Sequence, residues 1–238
     1  MICPVYKRIL LKLSGEALMG SRGFGFDPAV VAQIADEIKE IHDAGVEIGI
    51  VIGGGNIFRG ASSENIGRCA GDSIGMLATT INSLVIKDCL VQRGVDARVL
   101  SATEMPKAAE YFTSETACRY LSEKKIVIIA GGTGNPYFTT DTAAALRCLE
   151  LQAEVIMKAT KVDGIYDCDP MKNPQAVKFD TLTHAEALQK QLKIMDATAF
   201  SLCMDHSVPI IVFKLLQRGN LRKSIEGLPI GTIVTKEA

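Results

Sequence analysis

Two lysines and one aspartate carry the strongest chemical signal in this chain. Lys12 lies at the end of the apolar run Arg8–Leu13, Lys158 ends the run Val155–Lys158, and Asp141 heads a helical pattern. Ammonium groups at strand ends can face phosphate oxygens, neutralising charge spread over a transferring group while an acid holds the lysines apart. That combination is suited to phosphoryl transfer. An acceptor that is already a phosphate needs no strong base. None of the three histidines, His42, His184 and His206, lies near these residues in sequence, and all three read as surface or structural.

Four strand-end turns surround these groups. In Lys12-Leu13-Ser14-Gly15, backbone N–H groups at a glycine turn can approach phosphate oxygens; the plainer reading is a lysine before an ordinary turn. In Gly53-Gly54-Gly55-Asn56, three glycines leave no Cβ to block a ligand, and the exposed N–H groups are expected near a helix start, where anions bind. Arg59 follows within reach of a phosphate. In the segment Ala130–Asp141, Gly131, Gly132 and Gly134 open the backbone. Thr133, Asn135, Thr139 and Thr140 supply neutral hydrogen-bonding groups, with Thr140 expected to cap the next helix. Asp141 alone would also be explained by charge complementarity at a helix start. In the segment Lys158–Pro170, Thr160, Asp163 and Gly164 read as a turn and Tyr166 is placed to cover a flat base. Asp167 and Asp169 read equally as ligands or as solvated turn residues.

The elements that must position these turns are legible. Apolar runs recur at Arg8–Leu13, Val46–Ile52, Ala97–Leu100, Lys125–Ala130, Val155–Lys158, Pro209–Phe213 and Thr232–Thr235. Helical periodicity lies between them. One pattern spans Pro28–Ala44, with Asp27 as N-cap, Pro28 at the first position and Gly45 at the close; others span Asp72–Arg93 and Thr142–Leu151. Short continuous strands alternating with helices predict an α/β fold with a largely parallel sheet. No linker composition divides the 238 residues, so one domain around one continuous sheet is expected, with ligands beyond the carboxyl ends of its strands.

Composition narrows the function. Apolar residues are 47% and aromatics only 5%, with no Trp, which predicts an aliphatic core covered by helices on both faces. A formal net charge of -1 argues against a nucleic-acid binder, which needs a basic surface. No signal peptide and no membrane span are expected. The seven cysteines show no CxxC spacing, so neither zinc nor a disulfide framework is expected and they read as buried thiols in a reducing cytoplasm. GxxxxGK[ST], a strand-end GxGxxG, and the HRD and DFG sets are all absent.

Taken together, Lys12–Gly15, Gly53–Gly60, Gly71–Leu77, Thr133–Asp141 and Lys158–Gly164 resemble the amino-acid kinase family, and within it the branch that phosphorylates UMP. The resemblance covers about Lys7–Val234. It implies a three-layer αβα sandwich around a mainly parallel sheet, the reaction UMP + ATP to UDP + ADP with Mg²⁺, and a cytoplasmic homohexamer of pyrimidine nucleotide synthesis. It gives Lys12, Leu13, Ser14, Gly15, Gly55 and Arg59 to the ATP phosphates or the transferring group. It gives Thr160, Tyr166 and Asp169 to the adenine nucleoside. UMP falls to Gly54, Asp72, Thr133, Gly134, Asn135, Pro136, Tyr137, Phe138, Thr139 and Thr140. Catalysis falls to Lys12, Lys158, Asp141 and Arg59, with Asp141 orienting the lysines and no direct protein ligand expected for the metal. The segment Gly20-Ser21-Arg22-Gly23-Phe24-Gly25 resembles one linked to GTP activation, its plainer reading being a hairpin tip. Arg98 is suited to an effector anion, and UTP inhibition is common in the family. Lys87 replaces an Arg found in some members and lacks its bidentate fork. Two alternatives stay open at this point: a kinase of a carboxylate or carbamate, and a non-catalytic nucleotide sensor.

Overall fold

The computed structural model describes residues 2–58, 65–192 and 194–237. In chain order the elements are β1 (Arg8–Leu13), α1 (Gly15–Leu18), α2 (Pro28–Asp43), β2 (Glu47–Ile52), α3 (Arg68–Val91), β3 (Ala97–Ser101), β4 (Glu110–Tyr111), α4 (Ser114–Ser122) and β5 (Ile126–Ala130). There follow α5 (Thr140–Glu150), β6 (Val155–Thr160), β7 (Ile165–Tyr166), β8 (Lys178–Phe179), β9 (Thr181–Thr183), α6 (His184–Gln189), α7 (Ala197–Asp205), β10 (Ile210–Lys214), α8 (Asn220–Ile225) and β11 (Thr232–Thr235).

Nine strands form one sheet in the order β4-β3-β5-β2-β1-β6-β10-β11-β9. All neighbours are parallel except β10 and β11. β7 and β8 form a separate antiparallel pair. The chain first steps outward from β1 to β2 and β3, then back through β5 to β6 and β10. Because parallel crossovers share one hand, the reversal puts the returning helices on the opposite face. Ile9, Leu11 and Leu13 thus join α2, α3 and α8 in one core layer, while Leu10 joins α4, α5 and α7 in the other. The result is the expected αβα sandwich. Alternation along β1 and β6 also points Lys12 and Lys158 to the α5 side, the polar exceptions at the carboxyl ends of otherwise apolar strands.

The helix limits shift in instructive ways. α2 matches its signals: the Asp27 carboxylate accepts from the Ala29 N–H at 2.9 Å, and Gly45 takes φ 92°. α3 begins at Arg68, four residues before the apolar periodicity does, because Gly67 caps it without a side-chain bond and its first turn lacks an apolar stripe. α5 begins at Thr140, capped by Thr139 rather than Thr140. Gly53–Gly55 do not sit at a helix start; among the described residues the next helix is α3.

Among the described residues, α3 is long and apolar enough to cross a membrane by length and composition alone, but it carries Arg68, Asp72, Lys87 and Asp88 and packs Ile86 and Leu90 into the sheet's core layer. One further expectation is corrected. Only Cys148 and Cys203 are buried, whereas Cys3, Cys69 and Cys168 are exposed on the chain before β1, on the first turn of α3 and in the loop after β7. Composition cannot place a thiol that periodicity does not mark.

Ile50 sits fully buried in β2, flanked by β1 and β5. Ile50→Ala should lower stability by ~2–5 kcal/mol through lost burial and a residual cavity, measured as a shift in the urea midpoint at unchanged slope.

Candidate active site

The centre of the site is a consequence of strand register. Lys12 and Lys158 are paired positions on the adjacent parallel strands β1 and β6. Their side chains leave the same face, so two ammonium groups converge. Asp141, on the first turn of α5, lies between them. Its Oδ1 is 2.7 Å from Lys12 Nζ and its Oδ2 is 2.7 Å from Lys158 Nζ. Lys158 also donates to the Ile194 carbonyl at 2.6 Å. Lys12 is only 8% exposed, which excludes an ordinary exposed lysine.

Burial pushes the Asp141 carboxyl up, but the charges of Lys12 and Lys158 outweigh it and hold the group below the usual carboxylate range. Burial pulls the Lys158 ammonium below its ordinary value, and Asp141 opposes that. Two ammonium groups around one carboxylate give the cluster a formal charge of one positive, in a form that a phosphate can share.

Asp141 is fixed in turn by the helix that carries it. Thr139 Oγ1 accepts from the Asp141 and Thr142 N–H groups at 3.0 and 3.3 Å. The Thr139 hydroxyl donates to Asp196, and the Thr142 hydroxyl donates to the same carboxylate at 3.0 Å. Asp196 also caps α7 through the Ala199 N–H at 3.0 Å. One carboxylate therefore ties the starts of α5 and α7 together. Sequence reading missed Asp196; an Asp directly before the helix starting at Ala197 was the available signal.

A cavity of about 440 Å³ opens on the α3 side of the cluster. Of the residues expected around the acceptor, it is lined by Gly54, Asp72, Thr133, Asn135, Phe138, Thr139 and Thr140; Gly134, Pro136 and Tyr137 do not line it. Gly55, expected at ATP phosphates, also faces this cavity. Asp72 Oδ2 accepts from Arg68 Nε and from the Tyr137 N–H, each at 2.7 Å. Chiefly through the Arg68 bond, its carboxyl is held below the usual range. The β5–α5 loop is pinned from outside by two more bonds: the Gly131 N–H donates to Thr79 Oγ1 at 2.9 Å, and Arg147 donates to the Gly132 carbonyl at 3.2 Å.

A second cavity of about 610 Å³ opens on the β6 side and is lined by Lys158, Thr160, Tyr166 and Asp169, among others. Tyr166 is anchored by its hydroxyl, which donates to Asp163 at 2.6 Å. Asp167 and Asp169 do turn work as well, accepting from the Val177 and Met171 N–H groups. Lys158 lines this cavity and Thr140, next to Asp141, lines the other, so the charged cluster stands between them.

The glycine turns separate by task. A Cβ on Gly15 would meet the Gly53 carbonyl oxygen at 2.3 Å, and one on Gly54 would meet the Ala78 side chain at 2.8 Å. Those glycines let the first two turns and α3 approach each other. Among the described residues, a Cβ on Gly55 would meet only Glu16, at 3.7 Å, which leaves its backbone open to a ligand on that side. Leu13 is buried in the core and offers only its backbone, while the Ser14 side chain makes no capping bond to α1. Arg59 lies outside the described residues.

The suggested effector residues do not come together within one chain. Gly20 lines a cavity of about 300 Å³ with Lys161 and Lys214, beyond the carboxyl end of β1. Arg98 and Lys87 line one of about 180 Å³ at the opposite, amino end of β3.

Comparison with known proteins fits this geometry. The model of the amino acid kinase family matches residues 7–214. This chain belongs to that family. It is 50% identical over 234 residues to the uridylate kinase of Actinobacillus succinogenes, covering 98% of this chain and 99% of that protein. The crystal structure of UMP kinase from Bacillus anthracis superimposes with a TM-score of 0.95 at 36% identity, covering 98% and 97% of the two chains. UMP kinase from Ureaplasma parvum gives a TM-score of 0.92 at 34% identity, covering 97% and 99%.

The lowered Asp141 carboxyl gives a signed expectation. Its contribution to stability is present above the unfolded value of about 3.9 and is lost as pH falls through the lower folded value. Asp141→Asn should cost ~2–3 kcal/mol near pH 7, somewhat below the range for a fully buried pair. The gap between the urea midpoints of wild type and variant should close as the pH drops below about 4.

Proposed function

We propose that this chain, acting as one domain in the cytoplasm, transfers the γ-phosphoryl group of ATP to UMP, giving UDP and ADP for pyrimidine nucleotide synthesis. The observation that carries the reading is the Lys12–Asp141–Lys158 cluster standing between two cavities. ATP takes the cavity containing Tyr166 and Asp169, and UMP takes the one containing Asp72. A UMP phosphate oxygen forms the new bond to the γ-phosphorus as the bond to the β–γ bridging oxygen breaks, and ADP leaves with that electron pair. Lys12 and Lys158 neutralise charge on the transferring group and leaving oxygen. Asp141 keeps the two ammonium groups in place. The acceptor oxygen is already ionised, which matches the absence of histidine from both cavities.

Mg²⁺ belongs to the proposal as the counter-ion of ATP. The described residues hold no group of three metal-ligating side chains, and Asp141 is taken by two ammonium groups. The donor set therefore fits a cation held by phosphates and water.

The acceptor cavity favours UMP over a carboxylate or carbamate. Among the described residues its lining has no Lys or Arg, and its one charged member is Asp72. An ionised Asp72 accepts from ribose hydroxyls, whereas a substrate carboxylate placed beside it would be repelled. A non-catalytic sensor has no need of the intact lysine–aspartate–lysine cluster.

The homohexamer and its control by GTP as activator and UTP as inhibitor are part of the same reading. Ile74, Leu77 and Ile81 recur along one exposed stripe of α3, which supports α3 as a contact with a second copy. Lys87 and Arg98 make a cationic recess suited to an effector's phosphates.

With purified protein and Mg-ATP, UMP should be turned over in preference to CMP, dUMP, acetylglutamate and carbamate; absence of UMP turnover overturns the reading. Lys12→Ala should lower kcat about 10²–10³-fold, whereas Asp72→Ala should raise the UMP KM about tenfold or more at nearly unchanged kcat. Leu77→Glu should yield a smaller particle in sedimentation velocity than the wild type.

A further inference from the structure

Asn56 and Asn82 have no part in the assignments above, yet both are almost wholly buried, at 2% and 0% exposure. A buried amide without partners is costly, and here every partner is supplied. Asn82 Nδ2 donates to the Gly53 carbonyl at 2.8 Å and to Asn56 Oδ1 at 2.7 Å. Asn56 Nδ2 donates to Asn82 Oδ1 at 3.0 Å and to the Gly25 carbonyl at 2.8 Å. The Gly25 N–H donates back to the Asn56 carbonyl at 2.9 Å. Both outer partners are carbonyl oxygens, so each amide must present its NH₂ outward; turning either one over would set oxygen against oxygen. Asn56 Oδ1 also lies where a Cβ on Gly15 would be, 2.5 Å from it.

We infer that Asn56 and Asn82 are positioning residues for phosphoryl transfer. Their reciprocal amide pair sets the spacing of the glycine turn from α3 and secures Gly25, at the end of the Gly20–Gly25 loop, to the same joint. The inference rests on the phosphotransfer reading. The pair acts through the Gly53–Gly55 backbone and touches neither substrate. An apolar pair of similar size would fill the space but leave the Gly53 and Gly25 carbonyls unpaired and the turn free to slide. Displacing a substrate-holding turn by about 1 Å can cost ~10²-fold in rate. Asp72 lies ten residues along α3 from Asn82, or ~15 Å on a straight helix, so the Asp72 contribution to acceptor affinity is separated from the joint, although Gly54 and Gly55 line the same cavity.

Steady-state kinetics on the full chain test this. Asn82→Ala is expected to lower kcat about 10–100-fold while the UMP KM stays within about threefold. Asn56→Ala should do the same, and the double variant should fall no further than the worse single, because both break one joint. If Asn82→Ala does not fold, Asn56→Ala is read alone, since it leaves Asn82 bonded to Gly53. Hydrogen–deuterium exchange supplies a readout independent of turnover: the peptide holding residues 20–25 should exchange faster in Asn82→Ala, although Asn82 reaches it only through Asn56. A folded variant with kcat within twofold of wild type, additive single effects, or unchanged exchange at residues 20–25 overturns the inference. Wild-type turnover of UMP is scored separately. If it fails while another acceptor works, the substrate reading falls and the variant ratios are taken with that acceptor; if no acceptor works, exchange alone decides.

Discussion

The structure depends on two ammonium groups being held side by side. Parallel pairing of β1 with β6 puts Lys12 opposite Lys158 on one face of the sheet. Sharing one carboxylate, such groups stand about 5–6 Å apart, where like charges repel by ~3 kcal/mol at an effective dielectric of ~20. Asp141 offsets that repulsion, and it does so only while α5 starts at the right place. The position of α5 is therefore an electrostatic requirement as much as a packing one. Thr139, Thr142 and Asp196 meet it by fixing the first turn of α5 against that of α7.

The remaining loops arrange themselves about that fixed charge. The loop between β5 and α5 is held to α3 by Thr79 and by the bond from Tyr137 to Asp72, and to α5 by Arg147. It passes through left-handed backbone at Gly131, Gly132, Gly134 and Tyr137, conformations that glycine adopts readily and that the tethers stabilise at Tyr137. The segment after β6 is anchored by its own turns, with Asp163, Asp167 and Asp169 each accepting a local bond. One cavity is thus shaped by contacts between distant elements, the other largely by contacts within one segment. Both open at the carboxyl ends of the strands, where a parallel sheet leaves its loops free to carry chemistry.

Among the described residues, seven of the eleven strands were legible as apolar runs, each within two residues of its limits, because strands buried on both faces are continuously apolar. The short strands β4, β7, β8 and β9 were not legible; two or three residues make no pattern. Helix α2 carried its own start and stop signals, whereas α3 began on a glycine cap that leaves no such mark. The glycine turns were visible, but not their division of labour. Gly15 and Gly54 read the same as Gly55 until the structure shows that the first two are pressed against neighbouring backbone or side chain.

The sequence by itself determined the fold class, the candidate strand ends and, through family resemblance, the reaction. Those are properties of local pattern: apolar continuity, glycine spacing, and the presence of Lys12, Asp141 and Lys158. Only the tertiary structure decided that the two lysines meet, that Asp141 bridges them, and that Asp196 and the buried Asn56–Asn82 pair hold the surrounding turns. Asp141 and Asp196 are 55 residues apart in the chain, and Asn56 and Asn82 are 26 apart. Contacts at such separations arise from strand order and register, which polar residue types do not encode locally.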